Sequence, residues 1–190
     1  PQNPPKVSWS GHAVKIELAD TLLPNRTYVV SLPAAMVDLR GNKPDTAVTL
    51  AFSTGPTLDS GTISGRVFTD ERPAAGITVA LFDETTLAPQ AVYDSVYPDY
   101  LTSTGTSGTF LFRHLPPGRF RLVAFRKTGR DDRFRPSRDL FGLPDRSIDL
   151  ALAPNIADVN LSLSSQDTLP NRIISALINS DRVLQFRLSR

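Results

Sequence analysis

The sequence predicts an all-β chain built of tandem β-sandwich domains, on three observations. Sixteen prolines and eleven glycines punctuate its 190 residues, and many fall between short apolar runs. Those runs alternate with period 2, as half-buried strands do. The longest apolar run is far short of the roughly 20 residues that a membrane-crossing helix needs. A hydrophobic content of 40% with 21% charged residues suits packed cores and excludes a disordered chain.

The best-specified stretch is Gly105–Phe125, which reads as strand, tight turn, strand. Phe110 and Phe112 alternate with Leu111 and Arg113. His114-Leu115-Pro116-Pro117-Gly118 ends the first strand, because proline donates nothing to a ladder and glycine accepts turn geometries. Phe120, Leu122 and Ala124 then point one way, and Arg119, Arg121 and Val123 the other. The expected element is a β-hairpin with an apolar inner face and an arginine-bearing outer face.

Residues 1–56 form the first expected unit. Val7-Ser8-Trp9 and the alternating Val14, Ile16 and Leu18 are strands on either side of Ser10-Gly11-His12. Leu23-Pro24-Asn25-Arg26 is a turn, and Tyr28, Val30 and Leu32 supply the next buried face. Pro33–Val37 suits a single helical turn, and Asp38-Leu39-Arg40-Gly41-Asn42 a reverse turn. Val48, Leu50 and Phe52 close the unit. Pro56–Ser60 is a linker too short for free tumbling.

Residues 61–164 form the second unit, with strands expected at Ile63–Phe68, Ile77–Phe82, the Gly105–Phe125 pair, Ser147–Leu152 and Val159–Leu163. Asp83–Asp99 is a long connection carrying tyrosines, and Arg126–Gly142 is a polar excursion. Residues 165–190 are a tail in which Ile173–Ala176 and Val183–Leu188 form a β-hairpin about Asn179-Ser180-Asp181-Arg182.

Both units resemble known families. Leu23-Pro24-Asn25-Arg26-Thr27-Tyr28, the Asp38 to Gly41-Asn42 turn and Ala51-Phe52-Ser53-Thr54-Gly55 resemble the bacterial Ig-like domain first described in surface-layer proteins. Members of that family begin with further strands. Residues 1–56 therefore match a part of the domain, whose three or four strands leave an apolar face to be covered. The second unit resembles the transthyretin-like, carboxypeptidase-regulatory-like sandwich, grouped with the starch-binding-like folds. The residues carrying this are Ser64-Gly65-Arg66-Val67, Ala75-Gly76-Ile77-Thr78-Val79-Ala80-Leu81, Thr102 with Gly108-Thr109-Phe110-Leu111-Phe112, and Leu115-Pro116-Pro117-Gly118-Arg119-Phe120-Arg121-Leu122. The tail resembles the first two strands of a further Ig-like domain, or a pair completing the first. These resemblances imply fold far more than activity.

Chemistry-bearing constellations are few. Cysteine is absent, which removes disulfides, thiol catalysis and cysteine–zinc sites. His12 and His114 are the only histidines, and no serine lies in a nucleophile elbow, so no catalytic residue and no enzyme is expected. Asp131, Asp132 and Asp139 lie where relatives of the second unit carry calcium ligands, but Arg126, Lys127 and Arg130 stand among them, so no metal and no cofactor is expected. The early strands of the second unit hold no lysine, and no isopeptide cross-link is expected.

Two features remain for ligand binding. Arg113, Arg119, Arg121, Arg126, Lys127, Arg130, Arg133, Arg135 and Arg138 cluster in sequence, and Arg119, Arg121 and Arg126 are the candidate contacts for a polyanion. The competing reading is a surface neutralised by Asp131, Asp132, Asp139, Asp145 and Asp149. Tyr93, Tyr97 and Tyr100 are candidates for stacking on sugar rings, against packing as a satellite cluster under their loop. With a net charge of +2 and no recognition helix or stacking motif, nucleic acid is not an expected partner.

The function expected is a non-enzymatic spacer or interaction module of a bacterial cell-envelope or secreted multidomain protein. The alternative is a module for carbohydrate or anionic glycan. Partners would be other domains of the same polypeptide, glycans or envelope proteins. The opening PQNPPK, without methionine, reads as the middle of a longer protein whose own N-terminus carries any export or lipid-anchoring signal.

Overall fold

The computed structural model describes residues 6–10, 13–18, 20–32, 40–42, 48–87, 96–129, 133–165, 173–180 and 182–188. All regular structure in these residues is β. No helix among them is long and apolar enough to cross a membrane.

The first unit is two antiparallel pairs. β1 (Lys6–Ser10) pairs with β2 (Ala13–Glu17), which sets Val7 opposite Ile16 and Trp9 opposite Val14. β3 (Thr27–Leu32) pairs with β4 (Val48–Ser53), setting Tyr28 opposite Phe52 and Val30 opposite Leu50. The Tyr28 and Phe52 rings stack at 5.6 Å. Each pair has one apolar face, as the alternation predicts, and Val7, Leu50 and Phe52 remain exposed on those faces. The turn before β3 is held from across the unit. Thr54 Oγ1 donates to the Leu23 carbonyl at 2.6 Å and accepts from the Arg26 amide at 3.1 Å. The helical turn expected at Pro33–Val37 lies outside the described residues, as do Asp38 and Leu39 of the turn after it.

The second unit is a two-layer sandwich. One layer runs β8 (Tyr100–Ser103), β7 (Thr78–Asp83), β10 (Arg119–Arg126), with β11 (Leu140–Gly142) and β12 (Ile148–Asp149) sharing the far side of β10. The facing layer runs β13 (Asn155–Ser162), β5 (Gly61–Thr69), with β9 (Thr109–Leu115) and the short β6 (Arg72–Pro73) on the other side of β5. β13 pairs parallel to β5, and the other ladders are antiparallel. Between the layers lie Ile63, Val67, Val79, Leu81, Phe110, Phe112, Leu115, Phe120, Leu122, Val159 and Leu161. Burial of such side chains contributes roughly 1.5–3 kcal/mol each, which makes this core the main source of stability.

The Gly105–Phe125 stretch is not a hairpin. β9 pairs with β5 and β10 with β7, so its two strands belong to opposite layers. The Pro116-Pro117-Gly118 turn is an arch between sheets. Two physical causes are visible. The paired prolines have no N–H with which to close a ladder beside the turn. His114 adopts φ +60° at a bulge in β9, which bends the strand end out of the plane that pairing would need. The arch sets Phe110 and Phe112 facing Phe120 and Leu122 across the core, where both sets are buried. Period-2 alternation is identical for a hairpin and an arch, and it cannot separate them.

A second correction concerns Val123, which the alternation places outward with the arginines. It is buried, together with Ala80, Phe82, Phe125 and Phe134, in a smaller core on the outer side of the β8–β7–β10 layer. The cover comes from the excursion after β10. Phe134 meets Phe125 at 5.3 Å and Phe141 at 5.2 Å. Asp139, itself buried, ties the excursion down. It accepts from the Thr128 amide and hydroxyl (3.2 and 2.6 Å) and from the Arg135 amide (2.8 Å).

In the tail, β14 (Ile173–Ser180) and β15 (Val183–Leu188) pair with each other, with Ala176 opposite Phe186 and Ile178 opposite Leu184. No ladder joins them to β1–β4 among the described residues, so the first unit gains no strand from the tail there. Ile178, Leu184 and Phe186 stand 77%, 62% and 56% exposed.

Candidate functional site

The histidine available for chemistry is occupied structurally. His114 lies at the end of β9 with its Nδ1 3.3 Å from the carbonyl of Asp59, to which it donates. His12 lies outside the described residues, with Asp131 and Asp132. Among the described residues no group of three or more His, Asp or Glu side chains is placed to hold a metal ion. Asp139 spends its carboxylate on backbone and threonine donors, as a scaffold group does.

The arginine run is split by the arch. Arg113 belongs to β9 and faces outward from one layer, while Arg119, Arg121 and Arg126 belong to β10 in the other. Arg119 donates from Nε to Asp149 at 3.1 Å, and Arg121 donates to Glu84 at 3.3 Å. Glu84, at the end of β7, is a neutralising partner that sequence reasoning missed. The signal for it was the β7–β10 register, and that is invisible without the topology. Arg126 is exposed at the end of β10.

The Arg119 hydrogen bond, reinforced by the Ala151 amide, holds the Asp149 carboxyl below the usual carboxylate range. The pair therefore contributes at neutral pH, and the contribution is lost as pH falls through that lowered pKa. Arg119→Ala is expected to move the Asp149 titration upward toward the ordinary range, read from its carboxyl carbon by NMR. An unmoved titration would mean that Arg119 does not hold the group.

The tyrosines are separated as well. Tyr93 lies outside the described residues. Tyr97 is half-buried, with the Arg133 guanidinium 4.4 Å from its ring centroid and Arg133 Nη2 donating to its hydroxyl at 3.1 Å. Tyr100 packs against the main core, edge-on to Phe120 at 6.1 Å. Burial, with the neighbouring Asp99 carboxylate, pushes its phenol up to about 12. Tyr97 and Tyr100 thus have partners from this chain on their rings.

Two concavities remain. One, of about 540 Å³, lies over β10 between β11 and β12 and is walled by Phe134, Phe141, Leu143, Pro144 and Arg146. It opens because the edge strand leaves β10 after Gly142 and rejoins at Ile148. The other, of about 870 Å³, crosses the outer face of the β13–β5–β9 layer, and its lining includes Ser64, Arg66, Thr109, Arg113, Asp158 and Asn160. It continues round the β9 edge to Ser103 of β8, and Thr49 of β4 stands at its rim.

The join between the units is specific. The Asp59 amide donates to Thr27 Oγ1 of β3 at 3.0 Å, while the Asp59 carbonyl accepts from His114 of β9. Thr27 is buried there, and β3 runs beside β8 and β9.

Comparison with known proteins places the first unit. Residues 1–54 match the bacterial Ig-like domain family. No curated protein and no solved structure matches the chain.

Proposed function

We propose that the chain is a non-enzymatic spacer or interaction segment of a bacterial cell-envelope or secreted multidomain protein. Domains of the family matched by residues 1–54 occur in bacterial surface proteins and are generally non-enzymatic. The observation that carries the reading is the Asp59 clasp. A linker residue whose N–H and C=O are bonded to opposite units holds them at a fixed angle, which a spacer requires and a flexible tether does not provide. The motif spacing from Ser64 to Leu122, and a two-layer core built on those residues, support reading the second unit as the transthyretin-like type. The uncovered apolar face of β14–β15 supports reading the tail as the opening of a further Ig-like unit.

The test is backbone ¹⁵N relaxation of the whole chain. The residues of β3–β4 and those of the sandwich should share one overall tumbling time. Thr27→Val combined with His114→Ala should split it into two. Two tumbling times already in the wild-type chain would sink the spacer reading.

A further inference from the structure

We propose that the outer face of the β13–β5–β9 layer is a binding cleft for an acidic polysaccharide. Arg66 and Arg113, both exposed, line it. Unlike Arg119 and Arg121, neither has a carboxylate partner among the described residues. The register sets Arg66 between Thr109 of β9 and Asn160 of β13, with Ser64 opposite Leu111 in the next outward row. Arg113 lies one further row along, so the backbone positions of the two arginines are about four residues of strand apart, roughly 13 Å at the rise of a β-strand. A polymer with repeated negative charges can place one group on each, and a guanidinium is suited to bidentate contact with carboxylate or sulfate.

The surface around the arginines selects the kind of polymer. Ser64, Thr109 and Asn160 offer hydroxyl and amide groups, and Ser103 Oγ on the cleft wall has no hydrogen-bond partner within the described protein. Asp158, held outward at a bulge in β13 with φ +58°, adds a carboxylate. That group repels a chain that carries only acceptors, and it accepts from a ligand rich in hydroxyls. An acidic peptide fits less well for a second reason. Peptides add to sheets through free strand edges, and β5, at the centre of this face, is paired on both sides. Nucleic acid is disfavoured because one half-buried aromatic, Phe68, is the outward ring among the described residues of the cleft, and stacking successive bases takes several.

The experiment is affinity electrophoresis of the whole chain through gels holding polygalacturonate, alginate, hyaluronate, neutral dextran or polyglutamate. Retardation by at least one acidic polysaccharide is expected, weakening as salt rises and absent with dextran. Arg66→Gln with Arg113→Gln should weaken it about tenfold or more, as loss of charge-assisted hydrogen bonds does. Arg119→Gln with Arg121→Gln should leave it within about twofold, because those side chains are already paired. All four arginines are exposed, and far-UV circular dichroism would verify that both variants fold. The proposal is overturned by no retardation in any acidic polysaccharide, by equal retardation in polyglutamate, or by equal losses in the two variants. These readouts are independent of the tumbling times that test the spacer reading.

Discussion

Gly65→Ala is expected to unfold the second unit or cost it about 3 kcal/mol, far more than one methyl group ordinarily does. The reason is where β13 meets β5. β13 carries an extra residue between Ile156 and Val159, and Asp158 takes up the bulge in the left-handed region. The bulge drives the Val159 carbonyl oxygen into the space that a Cβ on Gly65 would fill, and the Phe110 ring lies 3.0 Å from the same point. Neither neighbour yields cheaply. Val159 is buried and fixed in the parallel ladder, and Phe110 is packed edge-on against Phe112 at 6.1 Å. Urea denaturation followed by tryptophan-independent far-UV circular dichroism would read the loss. A variant as stable as the parent would show that the two strands do not approach so closely. Gly76→Ala is the useful contrast, since a Cβ there meets nothing, and its cost is confined to the positive φ of +70°.

Phe125→Ala should destabilise the same unit by about 3–5 kcal/mol, the range for removing a buried phenylalanine ring. Phe125 is fully buried on the side of β10 away from the main core. Its loss leaves Phe134 and Phe141 without their floor. The excursion after β10 should then open, which amide hydrogen exchange at Phe134–Phe141 would detect beside the drop in midpoint. If exchange there is already fast in the parent chain, the outer core is not closed in solution. Phe125→Leu, which keeps apolar volume, should recover most of the loss.

These two sites also mark the boundary of what the sequence makes legible. Local alternation placed most of the strands correctly, because each strand buries one face and the side-chain period of a strand is 2. The inward set of β9 and β10 was readable residue by residue. What alternation cannot carry is which strand neighbours which. Hence the expected hairpin became an arch, and the arginines expected on one face fell on two. Val123 and Phe125 show a second gap. The stretch of β10 that is covered on both sides has no wet face, and its cover lay in a stretch whose five arginines and lysine obscured Phe134 and Phe141. The candidate cleft was hidden for the same reason as the arch. Arg66 was an ordinary strand residue in the sequence, and only the ladder of β5 with β9 sets it on one surface with Arg113. The bond from Asp59 to Thr27 joins residues 32 apart, and no local pattern announces it.

The parallel ladder of β5 with β13 has a consequence for how the protein is made. β5 opens the second unit and β13 all but closes it, and the Thr62 and Asn155 side chains that meet across that ladder are 93 residues apart. On a ribosome, β5 therefore emerges long before the strand that covers its remaining edge. Until then Ile63 and Val67 belong to a layer with one side unclosed, in a topology dominated by distant pairings, which fold slowly. Completion of this unit is tied to translation of its last strand, and a nascent chain stalled before Asn155 would present an unpaired edge to chaperones.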